Sequence, residues 1–267
     1  MQDIITSTIY IFGAIVGTIF LFGFIIRLFE IIIIKLLDYP AYYKLIKSTS
    51  FIGTIIHELS HALMCIIFGH KIQEIKLYSP NAADGTFGYV LHTYNKKNIY
   101  QRMGNFFIGV SPILLGNMVI SILLITFFPN TLSNLNEIVS DYYNSSFSFE
   151  NLIQFFKEYL TVLGSMLVYI DTIGFWICFI VLISLMFHMQ LSRADIKGSI
   201  SGIVFFLVLI LITNIIIGLI NKSWLIWLGE HVTYFNIYSL TILFFLVLMY
   251  LLLILLILFL KFLKKLV

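Results

Sequence analysis

Long apolar runs separated by short polar stretches organise this chain. Runs at 4–26, 104–128, 172–189, 199–220 and 234–260 are each close to or beyond the about 20 mostly apolar residues with which a helix crosses a bilayer. A sixth run, 51–68, is barely long enough and carries polar residues. The pattern predicts an all-α polytopic membrane protein of about six transmembrane helices, forming a single integral membrane domain over 1–267. Two connections look folded. IQEIKLY and TFGYVLHTY are β-prone, and the SPNAADG between them holds an Asp-Gly turn signal, so a small hairpin is expected over 72–94. The polar stretch NTLSNLNEIVSDYYNSSFSFENL is expected to be an exposed loop followed by a short helix.

Composition agrees, with 60% hydrophobic and 11% charged residues. A net charge of +3 with no basic, aromatic-interleaved surface argues against nucleic acid as a partner. Cys65 and Cys178 both fall within apolar runs, where a thiol behaves as a small hydrophobe and no disulfide framework is implied. MQDIITSTIY lacks a basic start and no A-x-A-like site follows, so the first run is expected to remain as a helix.

Lys and Arg collect at 71–103, 190–198 and 261–265, which assigns those segments to the cytoplasm, and the acidic 129–160 connection to the opposite face. Lys35, Lys44 and Lys47 then sit awkwardly unless Arg27 to Lys47 forms a partly interfacial helix, with Arg27 and Glu30 paired at i, i+3. The expected location is a bacterial cell membrane, crossed several times.

The 51–68 run contains HELSH. On a helix His57 and His61 are i and i+4, on one face and about 6 Å apart along the axis, so both can hold one metal ion. Glu58 lies beside them. In this H-E-x-x-H arrangement two imidazoles bind zinc and the glutamate takes a proton from the metal-bound water. Composition alone would produce roughly 0.003 such matches in a chain of this length. Ionisable residues within a membrane are costly, and a functional site is the default reading.

Catalytic zinc usually has three protein ligands plus water. Candidates for the third are His70, His92, His188, His231, Asp171 and Asp195. His61 precedes a cytoplasmic loop, and Asp195 opens the 199–220 run from that same side, whereas Asp171 lies at the opposite face. Asp195 is therefore the expected ligand. Ser192 and Asp195 also form S-x-x-D, a capping-box pattern, and one carboxylate does not easily fill both roles. Asp171 reads as a helix N-cap, and His188 as a histidine at the membrane boundary or a support to the metal.

Taken together, HELSH in an apolar helix, a following strand-forming segment, SPILLGN in the next helix and SRADIKG before a later one resemble the site-2-protease type of intramembrane zinc metalloprotease, M50-like. The resemblance covers a core of about 51–200, with further helices at 1–50 and 199–260, and implies a compact form without PDZ or CBS domains. The family's Asp-Gly motif is represented by Asp195 with Gly198 at the third position and no proline ahead. Its Gly-Pro-x-x-Asn pattern is represented by Pro112 and Asn117. By resemblance, Asn117 would contact substrate backbone or the oxyanion, Glu58 would act as base, and the substrate would be a membrane protein or peptide, held extended along the 72–94 hairpin. Two other readings stay open: a Ste24-like zincin, which takes a glutamate as third ligand, and a non-proteolytic metal-binding carrier or scaffold.

Overall fold

The computed structural model describes residues 2–79 and 86–266, the side chains as far as Lys264. Pro80–Gly85, which hold most of the expected Asp-Gly turn, lie outside the described residues.

The first helix, α1 (Gln2–Leu37), is 36 residues long, about 54 Å at 1.5 Å per residue, and so projects beyond a bilayer core of about 30 Å. Asp38 ends it with a positive φ of 67°, and its side chain accepts from Ala41 N at 3.0 Å, with Pro40 in the first turn of the next helix. That helix, α2 (Tyr39–Ile67), carries HELSH. The expected interfacial helix over Arg27 to Lys47 is thus divided between α1 and α2. The Arg27–Glu30 pair does form, and Glu30 also accepts from Tyr42 and Gln190, which gives this buried carboxylate three partners.

A Schellman motif closes α2. Gly69 has φ 68°, its N–H bonds Ile66 O at 3.1 Å, and His70 N–H bonds Cys65 O at 2.8 Å. Strands β1 (Lys71–Lys76) and β2 (Tyr89–Thr93) follow as an antiparallel pair running from Lys71↔Thr93 to Lys76↔Tyr89, with an irregularity between Ile72 and Glu74. The expected hairpin is present. Beside it, His70 Nδ1 and His92 Nδ1 lie 3.0 Å apart, and burial holds both imidazoles below their ordinary pKa, so the pair is neutral near pH 7.

Helix α3 (Ile99–Phe127) contains Pro112. The polar connection after it is more ordered than its composition suggests. It forms α4 (Thr131–Asn144), whose Leu132, Leu135 and Val139 enter the core, and α5 (Phe149–Ser165), whose Phe155 packs on Phe244 at 5.2 Å. A leucine and valine stripe at helical spacing overrides the Asn and Ser content. After a 3-10 turn at Met166–Tyr169 come α6 (Ile173–His188), α7 (Arg193–Ile220) and α8 (Ser223–Leu266).

Helices α1, α2, α3, α7 and α8 are long and apolar enough to cross a membrane, and α6 is a shorter apolar helix of 16 residues. The protein is an all-α polytopic membrane fold with one small hairpin. Large apolar side chains such as Ile9, Phe24, Ile66 and Leu219 face outward, as a lipid-facing surface requires. Small residues bring α3 and α7 together. A Cβ on Gly109 would stand 2.2 Å from Ser199 Oγ and 2.3 Å from Asp195 O, and one on Gly202 would stand 2.3 Å from Phe106 N. Phe106 and Phe206 stack beside this contact at 4.6 Å. The close approach carries the first turn of α7 up against the polar face of α2.

Candidate metal centre

Helical spacing places His57 and His61 on one face of α2, and their Nε2 atoms lie 3.1 Å apart. Each ring is oriented by a backbone carbonyl that its own helix leaves free. His57 Nδ1 donates to His188 O at 2.7 Å, at the last residue of α6, where no helical donor follows. His61 Nδ1 donates to Ile108 O at 2.8 Å. Ile108 stands four residues before Pro112, and proline has no N–H for the helical bond that would otherwise occupy this carbonyl. Ser111 Oγ donates to the same oxygen at 2.7 Å and meets Ser60 Oγ at 3.0 Å.

With both Nδ1 positions protonated, both Nε2 lone pairs point at each other. Asp195 completes the group: its Oδ1 is 3.3 Å from His61 Nε2 and its Oδ2 is 3.7 Å from His57 Nε2. All three ligand atoms lie within 4.8 Å of one another. Two lone pairs and a carboxylate at these separations repel unless a cation lies between them. Two neutral imidazoles and one carboxylate are a donor set that suits zinc.

Asp195 does what looked incompatible in sequence. Its Oδ2 accepts from Ser192 N–H at 2.7 Å, and Ser192 Oγ accepts from Asp195 N–H at 3.1 Å, a full capping box. Oδ1 is left for His61, and Oδ2 still faces His57. The cap therefore fixes the carboxylate instead of competing for it.

Residues 10–89, which contain His57, Glu58 and His61, match the family model described as peptidase M50B-like. Over that stretch the chain is similar to M50B-like peptidases. No curated protein and no solved structure matches it. The M50B-like match runs from α1 through α2 to the first residue of β2, so Asp195 lies beyond it and joins the matched segment only through folding.

Other sequence candidates lie elsewhere. Asp171 is exposed in the turn before α6, and the cap expected of it is supplied by Thr172, whose Oγ1 accepts from Phe175 N at 3.2 Å. His188 contributes its carbonyl, while its Nδ1 donates to Ser184 O at 2.9 Å. His231 lies within α8, exposed, with Nδ1 on Trp227 O. His70 and His92 pair with each other. Asn117 is buried in α3, and its carboxamide oxygen has no hydrogen-bond partner among the described residues. No hydrogen bond among the described residues joins it to the cluster, and it is not among the residues lining the neighbouring cavity.

That cavity, of about 720 Å³, is bounded by Glu58, His57 and Thr54 on α2, Phe20 and Phe24 on α1, and His188 at the end of α6. The chain entering β2 closes one side. A Cβ on Gly88 would stand 2.8 Å from both Glu58 Cγ and Thr54 Cγ2, and Phe87 lies between Tyr43, at 6.1 Å, and His188, at 6.5 Å. Neither Gly88 nor the Ile108 carbonyl is marked by any motif. Pro112 inside an apolar helix is the sequence signal from which a freed carbonyl at Ile108 follows.

Proposed function

We propose that the chain is a zinc-dependent intramembrane endopeptidase, cleaving peptide bonds of membrane-embedded or membrane-adjacent substrates. The observation that carries this reading is the placement of Glu58 on the wall of a cavity of about 720 Å³ that is also lined by His57, which is grouped with His61 and Asp195. Zinc held by those three residues would polarise the scissile carbonyl and acidify an attacking water. Glu58 accepts that water's proton and passes it to the leaving amine, so no covalent intermediate is needed. The carbonyls of His188 and Ile108 keep both imidazoles in the ligand tautomer throughout.

Phe24 lines the cavity and is also 65% exposed on the outer face of the bundle, so the cavity reaches the surface that lipid would cover. A membrane substrate would enter there. Phe87 and Gly88 form the adjoining wall, and an extended substrate strand would lie against them as an addition to the hairpin. The Lys and Arg distribution supports a position for this end of the bundle in the cytoplasmic half of the membrane. An aspartate beside the imidazoles favours this reading over the chambered zincin with a third glutamate. The test is purified protein measured for zinc beside cleavage of co-expressed membrane proteins, in wild type and Glu58→Gln. Cleavage that persists in Glu58→Gln would rule the mechanism out; zinc binding with no cleavage in either would favour a carrier or scaffold.

A further inference from the structure

We propose that Cys65, His70 and His92 form a second metal site, separate from the His57–His61–Asp195 group, for a borderline or soft cation of the zinc class. Cys65 Sγ and a ring nitrogen from each histidine all lie within 4.8 Å of one another. Cys65 and His70 are both buried. The site is built by three separate pieces of local structure. Cys65 stands four residues beyond His61, so it continues the His57–His61 stripe of α2 by about 6 Å along the axis. The Schellman motif then folds His70 back onto the turn containing Cys65, through the His70 N–H bond to Cys65 O. Pairing of Ile72 with His92 brings the third ligand across the hairpin.

The orientation of His70 is the second observation. Its Nε2 donates to Gln101 O at 2.7 Å, which leaves the Nδ1 lone pair directed at His92 Nδ1, 3.0 Å away. Two nitrogens on one tetrahedral zinc, each at 2.0–2.1 Å, stand about 3.3 Å apart, close to the spacing already present. Gln101 is itself held, donating to Gly69 O at 2.7 Å and accepting from Asn95 N–H at 2.6 Å. The neutral form of this cluster is a hydrogen-bonded pair of imidazoles beside a thiol. Binding a cation releases the thiol proton and moves the His92 proton from Nδ1 to Nε2, so that both Nδ1 lone pairs face the metal. One thiolate and two imidazoles match zinc or its cobalt substitute and disfavour magnesium or calcium.

The test uses the full chain in detergent, loaded with cobalt and followed by absorption. The His57–His61–Asp195 group contains no sulfur, so a thiolate-to-cobalt charge-transfer band reports a cysteine site whether or not the proposed peptidase reading holds. A band is expected in wild type and in His57→Ala/His61→Ala, retained in Cys178→Ser, and lost in Cys65→Ser. His92→Gln, a change on the hairpin that leaves α2 untouched, is expected to weaken cobalt binding at least tenfold, and guards against a folding defect in Cys65→Ser. With zinc, His57→Ala/His61→Ala should hold one ion per chain, and adding Cys65→Ser should remove it. The proposal is overturned by the absence of a thiolate band in wild type, by a band that survives Cys65→Ser, or by binding that is unchanged in His92→Gln.

Discussion

His61 donates its Nδ1 proton to the carbonyl of Ile108, which Pro112 cannot occupy because it has no N–H. The two residues never need to touch. A proline in the middle of α3 leaves an acceptor free, and a histidine on α2 takes it up, which fixes the tautomer that sends Nε2 toward Asp195. At His57 the end of α6 leaves the His188 carbonyl free, with the same result.

Replacing Pro112 with alanine restores the helical N–H and offers Ile108 a competing donor. Zinc affinity should fall 10- to 100-fold, the range typical for lost support to a metal ligand, while helix content is kept. Competition against a graded series of chelators measures it; unchanged affinity would show that the carbonyl plays no orienting part.

Glu58→Gln keeps the size of the side chain and removes the proposed base. Zinc content should equal that of wild type and cleavage should drop by roughly 10²- to 10⁴-fold. Mass spectrometric metal counts and a cleavage assay on the same preparation provide both readings.

The two roles of Asp195 separate by mutation. Ser192→Ala removes one capping bond and should cost about 1 kcal/mol in stability, with one zinc still bound at the His57–His61–Asp195 group. Asp195→Ala removes the cap and the ligand together, so that the zinc of the His57–His61 group should be lost as well. Thermal unfolding followed with metal analysis in a Cys65→Ser background distinguishes them, and zinc retained in Asp195→Ala/Cys65→Ser would point to a different third ligand.

Gly88→Val should leave zinc in place and abolish cleavage. Its side chain would collide with Glu58 and Thr54, whose Cγ and Cγ2 atoms already lie 2.8 Å from where a Cβ would stand, and with Lys76 O at 2.9 Å. Gly88→Ala, which adds that Cβ alone, should be intermediate. Full activity in the valine variant would mean that this stretch of chain is not part of the cavity wall.

Some of this is legible along the chain and some is not, and the division follows sequence separation. Apolar runs report membrane helices because length and hydrophobicity are local, and a spacing of four residues puts His57 and His61 together because helical periodicity is local too. Alternating β-prone segments likewise reveal β1 and β2. Composition misled where a few buried side chains outweighed many polar ones, as in α4, where Leu132, Leu135 and Val139 hold an Asn- and Ser-rich segment against the core.

By itself, then, the sequence determined the membrane class, the paired imidazoles and the neighbouring acid. Only tertiary structure decided which distant acid joins them, that Asp195 caps α7 and faces the histidines at once, and that carbonyls from α3 and α6 steer the rings. His57 and His188 are 131 residues apart, and no local rule specifies that meeting. It depends on the close approach of α2 and α6 at Gly53, where a Cβ would stand 2.5 Å from both Ser184 O and His188 Nδ1, just as Asp195 is brought in by the approach of α3 and α7 at Gly109 and Gly202.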